Sequence, residues 1–212
     1  LGFQFASPEG AKAWVNRYYD IISSDRVEKL CDYEMNPNIA IVSGFMCAET
    51  DELAQKKAEG WTFFIFCLEY NGTHTYEPGT VDLWNEYQDW RSGDKARAAF
   101  ENGLIGSPET IRRKLLEFEK ANVDQIILLN QSGKTSHQDI CDSLALFGRE
   151  VMPEFHAREP AHQQWKTAVM AREIELEQMD LSGHKKTAVA TITSESGMRR
   201  ASQAELQAKD SK

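Results

Sequence analysis

The apolar and polar residues of this chain follow two patterns, one typical of β-strands and the other typical of α-helices. Mainly apolar runs predict strands at residues 1–6, 39–47 and 123–129. The run at 39–47 has almost no polar alternation, which is typical of a strand that is covered on both faces in a parallel sheet. Between these runs, apolar residues recur at steps of three and four, as they do on one face of a helix. The pattern therefore favours an α/β fold with a parallel sheet.

Three serines mark predicted helix starts. Ser7 and Ser107 are each followed by Pro and Glu, which suit the first helical turn, and Ser136 is followed by Asp139 in an approximate capping box. The helix after Ser136 is predicted to end at Pro153. Residues 106–155 therefore form a predicted helix, buried strand and second helix.

The pattern also divides the chain into three parts. A folded domain is predicted over residues 1–156, one further helix within 157–180, centred on 161–179, and a disordered tail over 181–212, where large apolar residues are few. The chain has no initiator Met and opens directly in a strand-like stretch. We therefore expect further residues upstream.

Composition and charge narrow the class of protein. With 212 residues, of which 41% are apolar, the chain is long enough to bury a core. Its formal charge of -9 argues against nucleic acid as the main partner. The longest apolar run, residues 61–68, is far shorter than the roughly 20 residues that cross a bilayer. Since no secretion signal is visible either, we expect a cytoplasmic protein without a membrane partner.

The cysteines suggest neither disulfides nor a metal site. The four cysteines lack CxxC spacing and have no histidine at ligand distance, so we interpret them as reduced packing residues. They are Cys31, Cys47, Cys67 and Cys141.

Candidate cofactor-binding residues follow from the strand positions, because parallel α/β sheets bind ligands at the carboxyl ends of their strands. These residues are Ser43, Gly44, Phe45, Met46, Asn130, Gln131, Ser132, Gly133 and Lys134. The second group is a Gly-containing loop before a helix, which suits phosphate without matching a known phosphate-binding motif. For Lys134 the alternative is an ordinary exposed lysine.

Aromatic residues and histidines supply further candidates. Tyr70, His74 and Tyr76 are predicted to form a lid over the substrate side, with simple burial of aromatic area as the alternative. His137 lies in the first turn of a predicted helix and either faces the site or lies on the surface. His162, like the other histidines near the end of the chain, receives no role.

Catalytic motifs are not recognisable in this sequence. It contains no nucleophile elbow, no metal triad and no GxGxxG, so the catalytic residues stay unassigned.

Several segments together resemble the C-terminal end of the bacterial luciferase-like flavin-dependent monooxygenases. The segments are 106–111 (GSPETI), 119–128 (EKANVDQIIL) and 146–155 (LFGREVMPEF), and 36–47 resembles the preceding strand in one branch of the family. The likeness covers roughly residues 1–156, and its final segment is fairly specific.

This resemblance implies a (β/α)₈ TIM barrel in which the three predicted strands resemble the sixth, seventh and eighth. It implies an enzyme that oxidises an organic substrate with reduced FMN, or in some branches F420, and molecular oxygen. Strands one to five, which supply much of the flavin pocket in the family, are absent, so this chain alone is expected to be inactive. Asn122 replaces a family glycine and tolerates the same left-handed conformation.

Other functions stay open at this point. A non-catalytic partner subunit or degenerate barrel fragment is the main alternative, and another barrel enzyme, such as a lyase or aldolase, is a third. A Schiff-base aldolase needs a lysine within a barrel strand, and none of the three strands has one. The aromatic content of residues 61–90 is compatible with a homodimer.

Overall fold

The computed structural model of the protein describes residues 2–4, 7–24, 32, 36–130, 132, 133 and 135–177, without the side chains of residues 2–4 and 9. All of them belong to the compact unit Leu1–Met179. The tail predicted over 181–212, together with Gln131, Lys134 and Cys31, lies outside the described residues.

The described part of the chain contains four strands and eight helices. The strands are β1 (Gly2–Gln4), β2 (Ala40–Cys47), β3 (Leu104–Gly106) and β4 (Gln125–Leu129). The helices are α1 (Pro8–Ile22), α2 (Asp51–Lys57), α3 (Glu59–Thr73), α4 (Leu83–Trp90), α5 (Asp94–Asn102), α6 (Pro108–Lys120), α7 (His137–Glu150) and α8 (Met152–Met170).

Strand β2 is the centre of a parallel sheet. Its first half pairs with β1, from Gly2↔Ala40 onward, and with β4, from Ala40↔Gln125 onward. Its last residues pair with β3. The predicted α/β fold with a parallel sheet is thereby confirmed, whereas the eight-stranded barrel stays a prediction.

The two faces of β2 are covered by different helices. Ile41, Phe45 and Cys47 pack with residues of α1, α6 and α7 in the largest hydrophobic cluster. Met46 belongs to a second cluster that includes Ala54 of α2 and Trp61 of α3. The continuous apolar run thus reflects burial on both faces, as its lack of alternation predicted.

Local signals predicted the helix starts well. The hydroxyls of Ser7, Ser107 and Ser136 each accept a hydrogen bond from a backbone N–H three residues later, at 3.2, 3.4 and 3.1 Å. Asn122 has φ 56°, so the left-handed conformation expected in place of a family glycine is confirmed.

Several element boundaries differ from the predictions. Helix α7 ends at Glu150, and Pro153 lies in the first turn of α8, where a missing N–H costs no hydrogen bond. The helix predicted over 161–179 therefore begins earlier, at Met152, and ends at Met170. Strand β3 was not predicted, because three residues are too few to show a periodicity. In the described part of the chain, no helix is long and apolar enough to span a membrane.

Candidate functional site

The segments that follow β2 and β4 meet at the carboxyl edge of the sheet. A side-chain Cβ at Gly60, in the first turn of α3, would lie 1.9 Å from the carbonyl oxygen of Ser132. Gly133 has φ +63°, and a Cβ there would lie 2.7 Å from the Gly60 Cα. The two backbones are therefore in direct contact, which only glycine permits at these two positions.

A salt bridge reinforces this junction. The Nζ of Lys57 lies 2.9 Å from Oδ1 of Asp139 in the first turn of α7. The Ser136 hydroxyl donates to the other carboxylate oxygen at 2.6 Å. These two contacts lower the pKa of Asp139, the Ser136 hydrogen bond contributing most. The carboxylate of Asp139 therefore already balances the partial positive charge at the N-terminus of α7.

A cleft of about 400 Å³ opens beside the junction, between α2, α3, α4 and the start of α7. We call it the carboxyl-edge cleft. Its lining residues are Leu53, Lys56, Lys57, Glu59, Gly60, Phe63, Trp84, Thr135, Ser136 and Asp139. The lining includes both aromatic rings and charged groups, and the rings of Phe63 and Trp84, which contact each other, form what we call its aromatic wall.

The aromatic wall of the cleft is held from behind. The rings of Phe63 and Trp84 pack edge to face with centroids 5.3 Å apart. Phe63 makes a second edge contact, at 5.2 Å, with the buried Tyr87. The Tyr87 hydroxyl in turn lies 2.6 Å from the Thr62 hydroxyl. The wall is therefore fixed in place by the packing of α3 against α4.

The predicted cofactor residues of β2 lie inside the core. The Ser43 hydroxyl accepts from the Leu104 N–H and donates to the Gly44 carbonyl, both at 3.1 Å. Phe45 packs edge to face against Phe147, and Met46 is 1% exposed. None of Ser43, Gly44, Phe45 and Met46 lines the carboxyl-edge cleft. Their role toward a cofactor stays a prediction.

Gly44 is covered by an indole ring. A Cβ at this position would lie 2.2 Å from Cδ2 of Trp61. The Trp61 Nε1 donates to the Ala99 carbonyl at 3.0 Å, so the ring is anchored to α5. Trp61 therefore closes the surface of β2 near its carboxyl end.

The loop after β4 is better placed for a ligand. The side-chain oxygen of Asn130 is buried and has no hydrogen-bond partner among the described residues. Ser132 is buried, and its carbonyl accepts from the Thr135 hydroxyl at 3.1 Å. Thr135 and Ser136, which follow the predicted residues directly, line the cleft. The other two predicted residues of the loop, Gln131 and Lys134, are outside the described part of the chain.

The predicted lid residues contact each other. The rings of Tyr70 and His74 stack at 4.0 Å, and the Tyr76 hydroxyl donates to the side-chain oxygen of Asn71 at 2.6 Å. The three residues do not line the carboxyl-edge cleft, and their lid function stays a prediction. His137 is exposed, with its Nε2 3.5 Å from the Cys141 sulfur.

A polar cluster at the opposite edge of the sheet was missed. Asp124 is buried just before β4 and accepts from the Tyr19 hydroxyl at 2.8 Å, the Ile39 N–H at 2.7 Å and, on its other oxygen, lies 2.9 Å from His162 Nε2. The Lys166 amine lies 3.7 Å away. We call Tyr19, Asp124, His162 and Lys166 the Asp124 cluster. His162 therefore has a structural partner, which its place in the sequence did not reveal because Asp124 lies on a different element.

The chain is similar to solved structures but not to any family model or curated protein. No protein-family model and no curated protein matches the sequence. Among solved structures, the chain is similar to the monooxygenase RslO1 from Streptomyces bottropensis at 18% identity and a TM-score of 0.48, covering 73% of this chain and 41% of that chain.

The chain is also similar to two further solved structures. One is the oxygenating constituent of 3,6-diketocamphane monooxygenase from Pseudomonas putida in complex with FMN, at 18% identity and a TM-score of 0.45, with 72% and 42% covered. The other is the coenzyme F420-dependent tetrahydromethanopterin reductase from Methanopyrus kandleri, at 21% identity and a TM-score of 0.34, with 56% and 35% covered.

The chain thus spans roughly two-fifths of the length of these proteins. One of these proteins was solved in complex with FMN, and another is described as dependent on coenzyme F420. The solved structures to which the chain is similar include monooxygenases.

Proposed function

We propose that this chain is part of a flavin-dependent monooxygenase that oxidises an organic substrate with reduced FMN and molecular oxygen, F420 being the alternative cofactor. The observation that carries the proposal is the helix–strand–helix segment over 106–155, whose motifs resemble the end of the luciferase-like barrel. In the structure this segment contributes β4 and α7, and Thr135, Ser136 and Asp139, which lie between these elements and in the first turn of α7, line the carboxyl-edge cleft. Because the chain spans only part of its structural neighbours, the activity is proposed for the whole protein, and this chain alone is expected to be inactive.

The residues after β4 fit part of a flavin site. The buried oxygen of Asn130, which has no partner in the described part of the chain, is an acceptor that a bound N–H group would satisfy, and a buried polar atom without a partner otherwise costs about 1–3 kcal/mol. Gln131 and Lys134 belong to the same proposed loop. The side chains of Ser43, Phe45 and Met46 are buried, and Gly44 is covered by Trp61. We therefore propose that these four residues support the cofactor site through the packing of β2.

In such a protein the cofactor supplies the chemistry. A bound reduced flavin would supply the two electrons with which one atom of molecular oxygen is placed in the substrate and the other is released as water. The residues of this chain would position the ligands and exclude water, for which the packed aromatic wall of Phe63 and Trp84 is suited. This division of work agrees with the lack of a recognisable catalytic motif.

Binding of reduced FMN by the complete protein tests this proposal. Equilibrium dialysis under anaerobic conditions would compare the unchanged protein with Asn130→Leu, Gln131→Ala and Lys134→Ala and with a deletion of residues 71–79. We expect at least tenfold weaker binding for the loop variants, and unchanged binding for the control Lys120→Ala, which alters an exposed lysine of α6. Equal binding by all variants would show that the loop and the lid are wrongly assigned.

A second candidate function is a non-catalytic partner subunit. It is favoured by Trp61, which covers Gly44 and closes the surface of the central strand near its carboxyl end. In that case the complete protein would bind no reduced FMN at all, and reduced FMN would oxidise in air at the same rate with and without it.

We propose a cytoplasmic protein that acts on a small molecule, and a homodimer through the aromatic region 61–90.

A further inference from the structure

We propose that the carboxyl-edge cleft binds a planar aromatic molecule with one negative charge, and that this is the class of organic substrate of the proposed monooxygenase. The substrate role rests on the proposed function. The binding preference rests on the cleft alone, through its wall, its charges and its size.

The aromatic wall favours a flat ligand. Trp84 is 36% exposed although it is large and apolar, so part of its ring faces the cleft and solvent. Phe63 is clamped between Trp84 and Tyr87 and cannot turn away. Rings held in this way offer stacking or edge contacts worth about 0.5–1.5 kcal/mol beyond buried area. A flat aromatic molecule gains these contacts, whereas a flexible aliphatic chain does not.

Of the charged side chains that line the cleft, the Lys56 amine has no carboxylate partner among the described residues. Lys57 is paired with Asp139 at 2.9 Å, and Glu59 is paired with Arg91 at 2.5 Å. Among the described residues no carboxylate lies within ion-pairing distance of the Lys56 amine. A ligand with a single carboxylate or phenolate would therefore balance the cleft.

The hydroxyl groups of Thr135 and Ser136 already donate to protein acceptors, so Lys56 is the group that would recognise the negative charge of a ligand. The Thr135 hydroxyl already donates to the Ser132 carbonyl, and the Ser136 hydroxyl donates to Asp139. Neither is free to donate to a ligand without breaking a bond of the junction. Charge recognition therefore depends on one side chain, which makes it testable by one substitution.

The size of the cleft favours a substrate over the cofactor. Its volume of about 400 Å³ lies near the lower end of the range for small-molecule sites, roughly 300–1,000 Å³. A molecule of two or three fused rings suits this volume better than FMN, whose ribityl phosphate extends well beyond its ring system. Reduced FMN is itself flat and negatively charged, so the experiment must separate the two ligands.

Binding of chosen probes to the full 212-residue chain tests the proposal without flavin turnover. Titration calorimetry would compare 2-naphthoate, the uncharged 2-naphthylmethanol, the aliphatic octanoate, and FMN. We expect 2-naphthoate to bind at least tenfold more tightly than any of the other three. Lys56→Gln should reduce its affinity to that of 2-naphthylmethanol, and Trp84→Leu should weaken both naphthalene probes. Lys120→Gln should change neither.

Each contrary result overturns a defined part of the proposal. Equal affinity for octanoate would exclude recognition of the aromatic ring, and unchanged affinity in Lys56→Gln would exclude recognition of the charge. FMN binding that exceeds 2-naphthoate and is lost in Lys56→Gln would make the cleft a cofactor site. Far-UV circular dichroism of each variant would exclude unfolding as the cause. Because no step needs reduced flavin or oxygen, a failure here is distinct from a failure of the dialysis experiment with reduced FMN.

Discussion

At the scale of single residues, the junction between the segments after β2 and β4 depends on two glycines. Gly60 and Gly133 touch through their backbones, and Gly133 also needs a positive φ. No hydrogen bond or ion pair could replace this contact, because its condition is the absence of a side chain.

Gly60→Ala is expected to destabilise the protein by about 1–3 kcal/mol, because the new methyl group would collide with the Ser132 carbonyl. Gly72→Ala, in the last turn of the same helix, is the matched control, since a Cβ added there would have nothing within 4 Å. We expect this control to be neutral or more stable by about 0.5 kcal/mol. Urea midpoints of the two variants would check the difference, and equal midpoints would contradict the close contact.

Lys114 is a second residue with a large expected effect. Its amine donates to the carbonyls of Phe100 and Gly103 at 3.2 and 2.6 Å, and so ties α6 to the end of α5. Lys114→Met should cost about 2 kcal/mol, since two carbonyls lose a charged donor. Lys120→Met on the same helix removes only an exposed pair with Glu117 and should change the free energy of unfolding by less than about 0.5 kcal/mol. Thermal unfolding of both variants would show whether the contrast exists.

Residue-scale features were predictable from the sequence where they are local. The caps at Ser7, Ser107 and Ser136 and the left-handed Asn122 depend on three or four neighbouring residues. The cover of Gly44 by Trp61 is not local in this sense, because it requires α3 to fold back over β2. Such contacts are set by the packing of whole elements and leave no spacing pattern in the chain.

At the scale of elements, α8 is attached to the sheet through the Asp124 cluster. Helix α8 supplies His162 and Lys166, α1 supplies Tyr19, and Asp124 lies just before β4. The sequence pattern predicted a helix in this region but not this attachment, since the partners are separated by other elements. The apolar side of the attachment includes Val169, which is buried against α1.

Asp124→Asn should destabilise the protein by about 3 kcal/mol, because the Lys166 amine loses its buried counter-charge and the new amide cannot accept all the former bonds. Asp89→Asn on the exposed side of α4 serves as the control and should have little effect. The midpoint of urea unfolding at pH 7 would measure both.

The same carboxylate should make stability depend on pH. Burial disfavours its ionisation, yet hydrogen bonds from His162, the Ile39 N–H and Tyr19, with the charge of Lys166, outweigh burial and lower the pKa of Asp124. A carboxylate whose folded pKa is lowered contributes stability above its unfolded pKa of about 3.9, and loses it as the pH falls through the folded value. The free energy of unfolding should therefore fall below about pH 4 in the unchanged protein, and by less in Asp124→Asn. Parallel curves for the two proteins between pH 6 and pH 3 would contradict this.

At the scale of the whole molecule, the sheet has an exposed apolar face. Ile127 of β4 is 44% exposed, and it is aligned with the half-buried Val42 of β2. In the described part of the chain, β4 pairs only with β2, so its other edge has no strand partner. Exposed strand edges with apolar side chains favour association.

Ile127→Lys is therefore expected to reduce self-association of the isolated chain without unfolding it. Ile21→Lys, at a similarly exposed position on α1, should leave association unchanged. Sedimentation velocity over a range of protein concentrations would compare the two variants with the unchanged chain. An equal effect of both substitutions would indicate that added charge alone, and not the sheet face, controls association.

The fold class of the whole molecule was predictable from the sequence, whereas the position of the cleft was not. Continuous apolar strands and amphipathic helices were enough to predict a parallel α/β fold. The carboxyl-edge cleft was not predictable, because Lys56, Phe63 and Trp84 come together only through the packing of three helices. Periodicity shows that each of them is on a helix, and it does not show what that helix faces.

Removing the indole ring that covers Gly44 is expected to create a cavity that binds a small aromatic molecule. Trp61→Ala would leave behind a space with the outline of the ring, bounded by Gly44, Phe64 and the carbonyl of Ala99. Apolar voids of this kind in other proteins stay dry and take up flat hydrocarbons. Free indole should therefore restore part of the stability lost in Trp61→Ala, with a midpoint of unfolding that rises with indole concentration, and should raise the midpoint of the unchanged protein much less.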